Sequence, residues 1–213
     1  DMRDAQVKKG AGEEKGIRKD REKYPGADFS RLIGEETEGE GFVPGIAPEY
    51  FRIGRLYKDP NWGGACVMTP WYYYLEYGDR RILEENYPMM KGYVSHLENV
   101  SDNGVLKDYA HMGEWGQLHE ETPTTLVATC AFFLITNTMI RIAEILERRE
   151  DAEGYEGLAE RIRSGFYQDG ECFRKESGIY GNGSQASFGC VLFSGIVRPE
   201  ERRKALDGLL QAV

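Results

Sequence analysis

The sequence predicts an all-α protein of paired antiparallel helices, arranged as an α/α toroid or an α-solenoid. Three observations predict this class. From Gly64 onward apolar residues recur at helical spacing, with no sustained strand-like alternation. Tight turns and long loops alternate between the predicted helices, which groups them into hairpins. The helix after each long loop is apolar nearly all round, and the helix after each tight turn is amphipathic. That is the pattern of a buried inner member paired with a half-exposed outer one.

Taken in order, residues 1–6 read as the tail of a helix already under way, and residues 10–41, rich in Gly, Lys and Glu, as a long exposed excursion. The acidic run at 35–40 reads as solvated surface. Residues 42–51, with two prolines, form an ordered but non-helical segment. Asp59-Pro60-Asn61 then turns the chain into NWGGACVMTPWYYYLEY at 61–77. Its consecutive aromatics, Trp71 to Tyr74, point around the whole circumference, so this helix should be packed on most sides. It runs from Gly64 to about Tyr77, kinks near Pro70 and ends at Gly78.

Asp79 is suited to cap the next helix, whose inward face is Leu83, Tyr87, Met90, Val94 and Leu97, with a bend at Pro88. After a long loop at 99–121, Thr122 should cap a helix with Pro123 in its first turn. Asp151 should start the following one, with Tyr155, Leu158, Ile162 and Phe166 inward. A loop at 169–183 leads to an apolar helix at about 184–197. Pro199 opens the last, which carries Leu206, Leu209 and Val213.

Composition removes several classes of function. A net charge of −9 without a clustered basic face argues against nucleic acid as a partner. Cys66, Cys130, Cys172 and Cys190 form no CxxC, so neither a zinc site nor a disulfide framework is suggested, and buried free thiols are expected. The strongest apolar run, 126–135, is too short for a bilayer, so no membrane partner is expected. No signal peptide pattern is present, which leaves periplasmic and cytoplasmic locations both open. Both ends of the chain are in helical pattern, as expected for a segment of a longer protein.

The hairpin rule puts all the long loops on one rim. They carry Asp59, Asn61 and Trp62; then Asp108, Tyr109, His111, Glu114, Trp115, His119, Glu120 and Glu121; then Tyr180, Asn182 and Gln185. Aromatic rings stack on the apolar faces of sugars, while carboxylates and amides bond to hydroxyls. Each of these residues alone also fits ordinary packing, and it is their clustering that points to a sugar cleft. Glycoside hydrolysis needs two carboxylates, roughly 6.5–9.5 Å apart for inversion or about 5 Å for retention. Glu114 with Glu120 or Glu121 could supply a pair. His111 and His119 do not have the spacing of a helical metal motif, so no metal is expected; no cofactor motif is present either. Nothing resembles a nucleophile elbow.

In these residues the chain resembles the catalytic domain of bacterial α-L-rhamnosidases, glycoside hydrolase family 78. The likeness runs through RDAQ at 3–6, VPGIAP at 43–48, WGGACVMTPWYYYLEYGD at 62–79 and YPMMKGYVSHL at 87–97. It continues with GEW at 113–115, TPTTLVAT at 122–129, YEGLAERIRSGF at 155–166 and SQAS at 184–187. The resemblance implies part of an (α/α)6 toroid and removal of terminal α-L-rhamnose from glycosides with inversion. It implies that Trp62 and Trp115 line the rhamnose pocket, with Glu114, Asn61, Tyr109 and His111 as further substrate contacts. Glu114 stands where the family usually has Asp, and Gly64 where an Asp is common. The family's general-acid motif lies upstream of RDAQ and its general-base Glu downstream of the last helix. Residues 1–213 are therefore expected to be a partial toroid domain, inactive by itself, with Glu114 the one internal candidate for a catalytic role. Open apolar flanks would favour a homo-oligomer. The alternatives are a non-catalytic helical-repeat interaction module and another carbohydrate-active α/α-toroid enzyme.

Overall fold

The computed structural model describes residues 39–46, 58–107, 109 and 121–213. The predicted opening helix at 1–6 and most of the excursion at 10–41 lie outside them. The chain turns into the fold through a single helical turn, α1 (Pro60–Gly63), where a plain turn was expected. Asp59 caps it, its Oδ1 accepting the Asn61 N–H at 2.8 Å, with Pro60 in the first helical position.

Three helical hairpins follow. The first is α2 (Ala65–Tyr77) with α3 (Arg81–Val100), the second α4 (Thr124–Ile145) with α5 (Arg149–Gln168). The third is α6 (Gln185–Ser194) with α7 (Arg202–Gln211), the latter entered through a 3₁₀ turn, Pro199–Glu201. Gly78 ends α2 in the left-handed conformation, φ 67°, its N–H donating to the Tyr74 carbonyl at 2.8 Å. The inner helices pack side by side in the order α2, α4, α6, and each also packs on its own outer partner. This all-α arrangement is part of an (α/α)6 toroid.

The core lies between the inner and outer layers. Leu83, Tyr87, Met90, Val94 and Leu97 of α3 are all buried, as their spacing predicts, and so are Tyr155, Leu158, Ile162 and Phe166 of α5. Cys66, Cys130 and Cys172 are buried free thiols whose pKa burial pushes up. Cys190 is partly buried. α4 is long and apolar enough to cross a bilayer, but it is mostly buried as the central core helix.

Several sequence expectations are corrected. α2 is open along one flank: Tyr72, Leu75 and Tyr77 are exposed, as is Phe193 on α6. Among the described residues only α4 has an inner neighbour on both sides, so only α4 is apolar-packed all round. Thr122 does not cap α4, which has no side-chain cap; its hydroxyl lies 3.1 Å from Ser184 Oγ. Asp151 is inside α5, where it receives the Tyr87 hydroxyl at 2.8 Å and Lys91 Nζ at 2.5 Å. The loop at 169–183 contains a two-stranded antiparallel hairpin, β1 (Phe173–Arg174) and β2 (Ile179–Tyr180). The helix predicted to 197 stops at Gly195, φ 76°. α7 buries Ala205 and tucks in Leu209; Leu206 is exposed, and Val213, expected on this helix, is exposed beyond its end.

Candidate functional site

The long loops all lead into the N-terminal ends of the inner helices. That rim is stepped. A side chain at Gly64 would run into Ile135, which is halfway along α4, so α2 begins beside the middle of α4 and not level with its N-terminus. Trp62 and Asn61 are exposed on α1 at the low level, Trp62 at 52%. The higher level is built by the N-termini of α4 and α6.

Two glycines set the low step. A Cβ at Gly63 would stand 2.5 Å from the Tyr93 hydroxyl and 2.8 Å from the Val43 carbonyl. One at Gly64 would stand 2.5 Å from the Pro60 carbonyl and 2.6 Å from Ile135 Cδ1. The position where the family commonly has Asp therefore has no room here for any side chain. The carboxylate at this corner is Asp59, buried, with Oδ1 holding both the Asn61 N–H and Nδ2, the latter at 3.1 Å.

Beneath α1 lies a buried polar knot. His96 on α3 places Nε2 3.1 Å from the Tyr109 hydroxyl, with Phe42 packed edge-on against its ring. Burial, and then the nearby Lys58 charge, hold His96 down at about 4, so it is neutral at pH 7. Burial also drives the Tyr93 phenol far above its ordinary range. Tyr109 is 7% exposed, so its side chain faces this knot and not solvent. These groups can fix the platform on which Trp62 stands; buried as they are, none is placed to exchange protons with a substrate.

The high step is stitched by side chains. Asn182 Nδ2 donates to the Glu121 carbonyl at 3.1 Å, and its Oδ1 accepts from Ser187 Oγ at 2.9 Å and from the Ser184 N–H at 3.1 Å. Ser184 caps α6 by accepting the Ser187 N–H at 3.1 Å. Thr125 donates to Glu171 Oε2 at 2.5 Å, which puts an exposed carboxylate beside the start of α4. Sequence reasoning passed over Glu171, whose signal, an acid shortly after a helix end, is too common to single out. Tyr180 is core, 2% exposed, its hydroxyl 3.2 Å from that of Tyr167.

Of the residues proposed for the site, the structure brings Asn61 and Trp62 to the low step, with Tyr109 below them. His111, Glu114 and Trp115 lie outside the described residues, as do His119 and Glu120. Among the described residues no group of His, Cys, Asp or Glu is arranged to hold a metal ion.

Residues 21–213 match the family described as the bacterial alpha-L-rhamnosidase six-hairpin glycosidase domain. An alpha-L-rhamnosidase of Formosa agariphila is 27% identical over 204 residues, covering 88% of this chain and 20% of that protein. The alpha-L-rhamnosidase of Streptomyces avermitilis, solved in complex with L-rhamnose, superposes with a TM-score of 0.71 at 28% identity. That match covers 86% of this chain and 17% of the other. The alpha-L-rhamnosidase of Dictyoglumus thermophilum gives 0.69 at 26% identity, covering 86% and 21%. The chain thus spans about a fifth of the length of the relatives it matches.

Proposed function

This chain belongs to the bacterial alpha-L-rhamnosidase six-hairpin glycosidase family, and from that premise we propose that it forms the rhamnose-contacting middle of an inverting α-L-rhamnosidase. In this reading residues 1–213 are a partial toroid domain, with 10–41 an excursion from it. The described residues contribute three consecutive hairpins of the ring and the stepped rim on which a terminal rhamnose docks. The observation that carries the reading is Trp62, half-exposed on a helical turn capped by Asp59 and packed closely at Gly63 and Gly64. An indole held that way offers a flat face to the C–H side of a sugar ring, with the exposed Asn61 beside it for hydroxyls. Trp115, Glu114 and His111 complete the pocket in this proposal, and Tyr109 supports it from below.

The general acid and general base are assigned to parts of the parent protein outside 1–213, so the chain alone binds sugar weakly and does not turn it over. No cofactor takes part. Saturation-transfer NMR on the 213-residue chain tests the binding half of the reading. L-rhamnose at millimolar concentration should receive saturation and L-fucose should not. Trp62→Ala should weaken the effect about tenfold, the order of one aromatic contact. Equal transfer to both sugars, or a signal indifferent to Trp62→Ala, refutes the assignment.

A further inference from the structure

Beside the high step and apart from Trp62, a cleft of about 560 Å³ opens between the C-terminal end of α5, the β1–β2 hairpin and the first turns leading into α7. Its size falls within the roughly 300–1,000 Å³ of small-molecule sites. We propose that this cleft binds a sugar carrying an oxyanion, a carboxylate or a sulfate ester, through Lys175, Arg198 and Lys204. The sugar part rests on the rhamnosidase reading; the oxyanion part does not.

Charge is the first support. The protein has 36 acidic and 27 basic residues, and many of its described cations sit in ion pairs. Lys175, Arg198 and Lys204 line one cleft, and none of them is in an ion pair among the described residues. Of the two carboxylates in the lining, Glu201 accepts the Tyr180 hydroxyl at 3.3 Å. Against Glu176 and Glu201 the three cations leave the lining with a net positive charge of one.

Preorganisation is the second. The Arg198 guanidinium lies 4.2 Å over the Tyr167 ring, and the Arg198 backbone N–H donates to the Tyr167 hydroxyl at 3.2 Å. A guanidinium stacked in this way keeps its edge donors free for a planar or tetrahedral oxyanion. The exposed Lys204 ammonium reaches over Gly178, where the missing Cβ leaves it room. Gly178 itself sits at φ 66°, the left-handed backbone that favours glycine. The third support is an apolar wall: Phe173, partly buried, packs edge-on to Tyr167 with ring centroids 4.9 Å apart. It gives the carbon skeleton of a sugar a surface beside the cations.

Isothermal titration of the 213-residue chain with four probes tests the proposal: methyl β-D-glucuronide, glucose 6-sulfate, methyl β-D-glucoside and inorganic sulfate. At least one charged sugar should bind, and the tighter of the two identifies the anion. The neutral glucoside should give no heat. R198A/K204A, a change confined to exposed side chains, should weaken the bound sugar about tenfold or more, and added salt should weaken it too. Binding of the glucoside equal to the glucuronide, or affinity unchanged in the double variant, overturns the proposal. Inorganic sulfate binding as tightly as glucose 6-sulfate removes the sugar from it. L-rhamnose contact at Trp62, followed on the same samples by NMR, is independent. Its failure would sink the rhamnosidase reading while leaving the oxyanion site standing.

Discussion

Gly64 and His96 show what single residues contribute at the low step of the rim. Gly64 has an ordinary helical backbone, φ −61°, so space and not conformation demands glycine there. Gly64→Ala should cost about 1–3 kcal/mol, because the Pro60 carbonyl is backbone and cannot withdraw without shifting the α1 turn, although the Ile135 side chain can turn aside. A lowered urea midpoint at unchanged slope would report it. His96 carries a pH signature. Its folded pKa of about 4 lies below the ordinary value near 6.5, so the unfolded chain takes up the proton first. Its stabilising share is complete above pH 6.5 and falls as pH drops toward 4, by about 2 kcal/mol at pH 5. His96→Gln should flatten stability between pH 6.5 and 5, whatever it does to the absolute value. Trp62 was legible in the sequence because it stands in an unusual string, WGGACVMTPW. The knot under it was not, since the burial of His96 depends on Phe42 arriving from far upstream and on Tyr109 folding back from beyond α3.

Among the elements, the two outer helices α3 and α5 are tied by Asp151, which receives both Tyr87 and Lys91, while Arg148 lies 4.3 Å over the Tyr87 ring. Lys91 first, and then the Tyr87 hydroxyl, hold the Asp151 carboxyl below its ordinary range. Asp151→Asn should therefore destabilise the fold by about 1–3 kcal/mol at pH 7, measured by denaturant titration. Because the folded pKa is depressed, that stabilising share is present above the unfolded value near 3.9 and is lost as pH falls below it. The gap between wild type and Asp151→Asn should close in acid. Sequence reasoning put Asp151 at a helix start because caps are local signals, whereas its partners are 64 and 60 residues away. The long periodic helices α3, α4 and α5 were legible for the opposite reason: burial along one face writes itself into spacing. Strands of two residues, as in the β1–β2 hairpin, have no period to read.

For the molecule as a whole, alternating loops and turns revealed the hairpin order, and the packing of α4 between α2 and α6 agrees with it. The exposed flanks did not follow from the pattern, because a sequence shows that a face is apolar and not whether a neighbour covers it. Tyr72, Leu75 and Tyr77 on α2 and Phe193 on α6 form such flanks. Light scattering should find a mass that rises with concentration, and Tyr72→Lys with Phe193→Lys should return it toward the monomer. In the function proposed above, the chain holds sugar-contacting residues while the catalytic carboxylates lie elsewhere in the parent protein. Hydrolysis of an aryl α-L-rhamnoside by the 213-residue chain tests it most directly. No turnover above the uncatalysed rate is expected. Robust hydrolysis, abolished by Glu114→Gln, would contradict the proposal by placing the catalytic machinery within these residues.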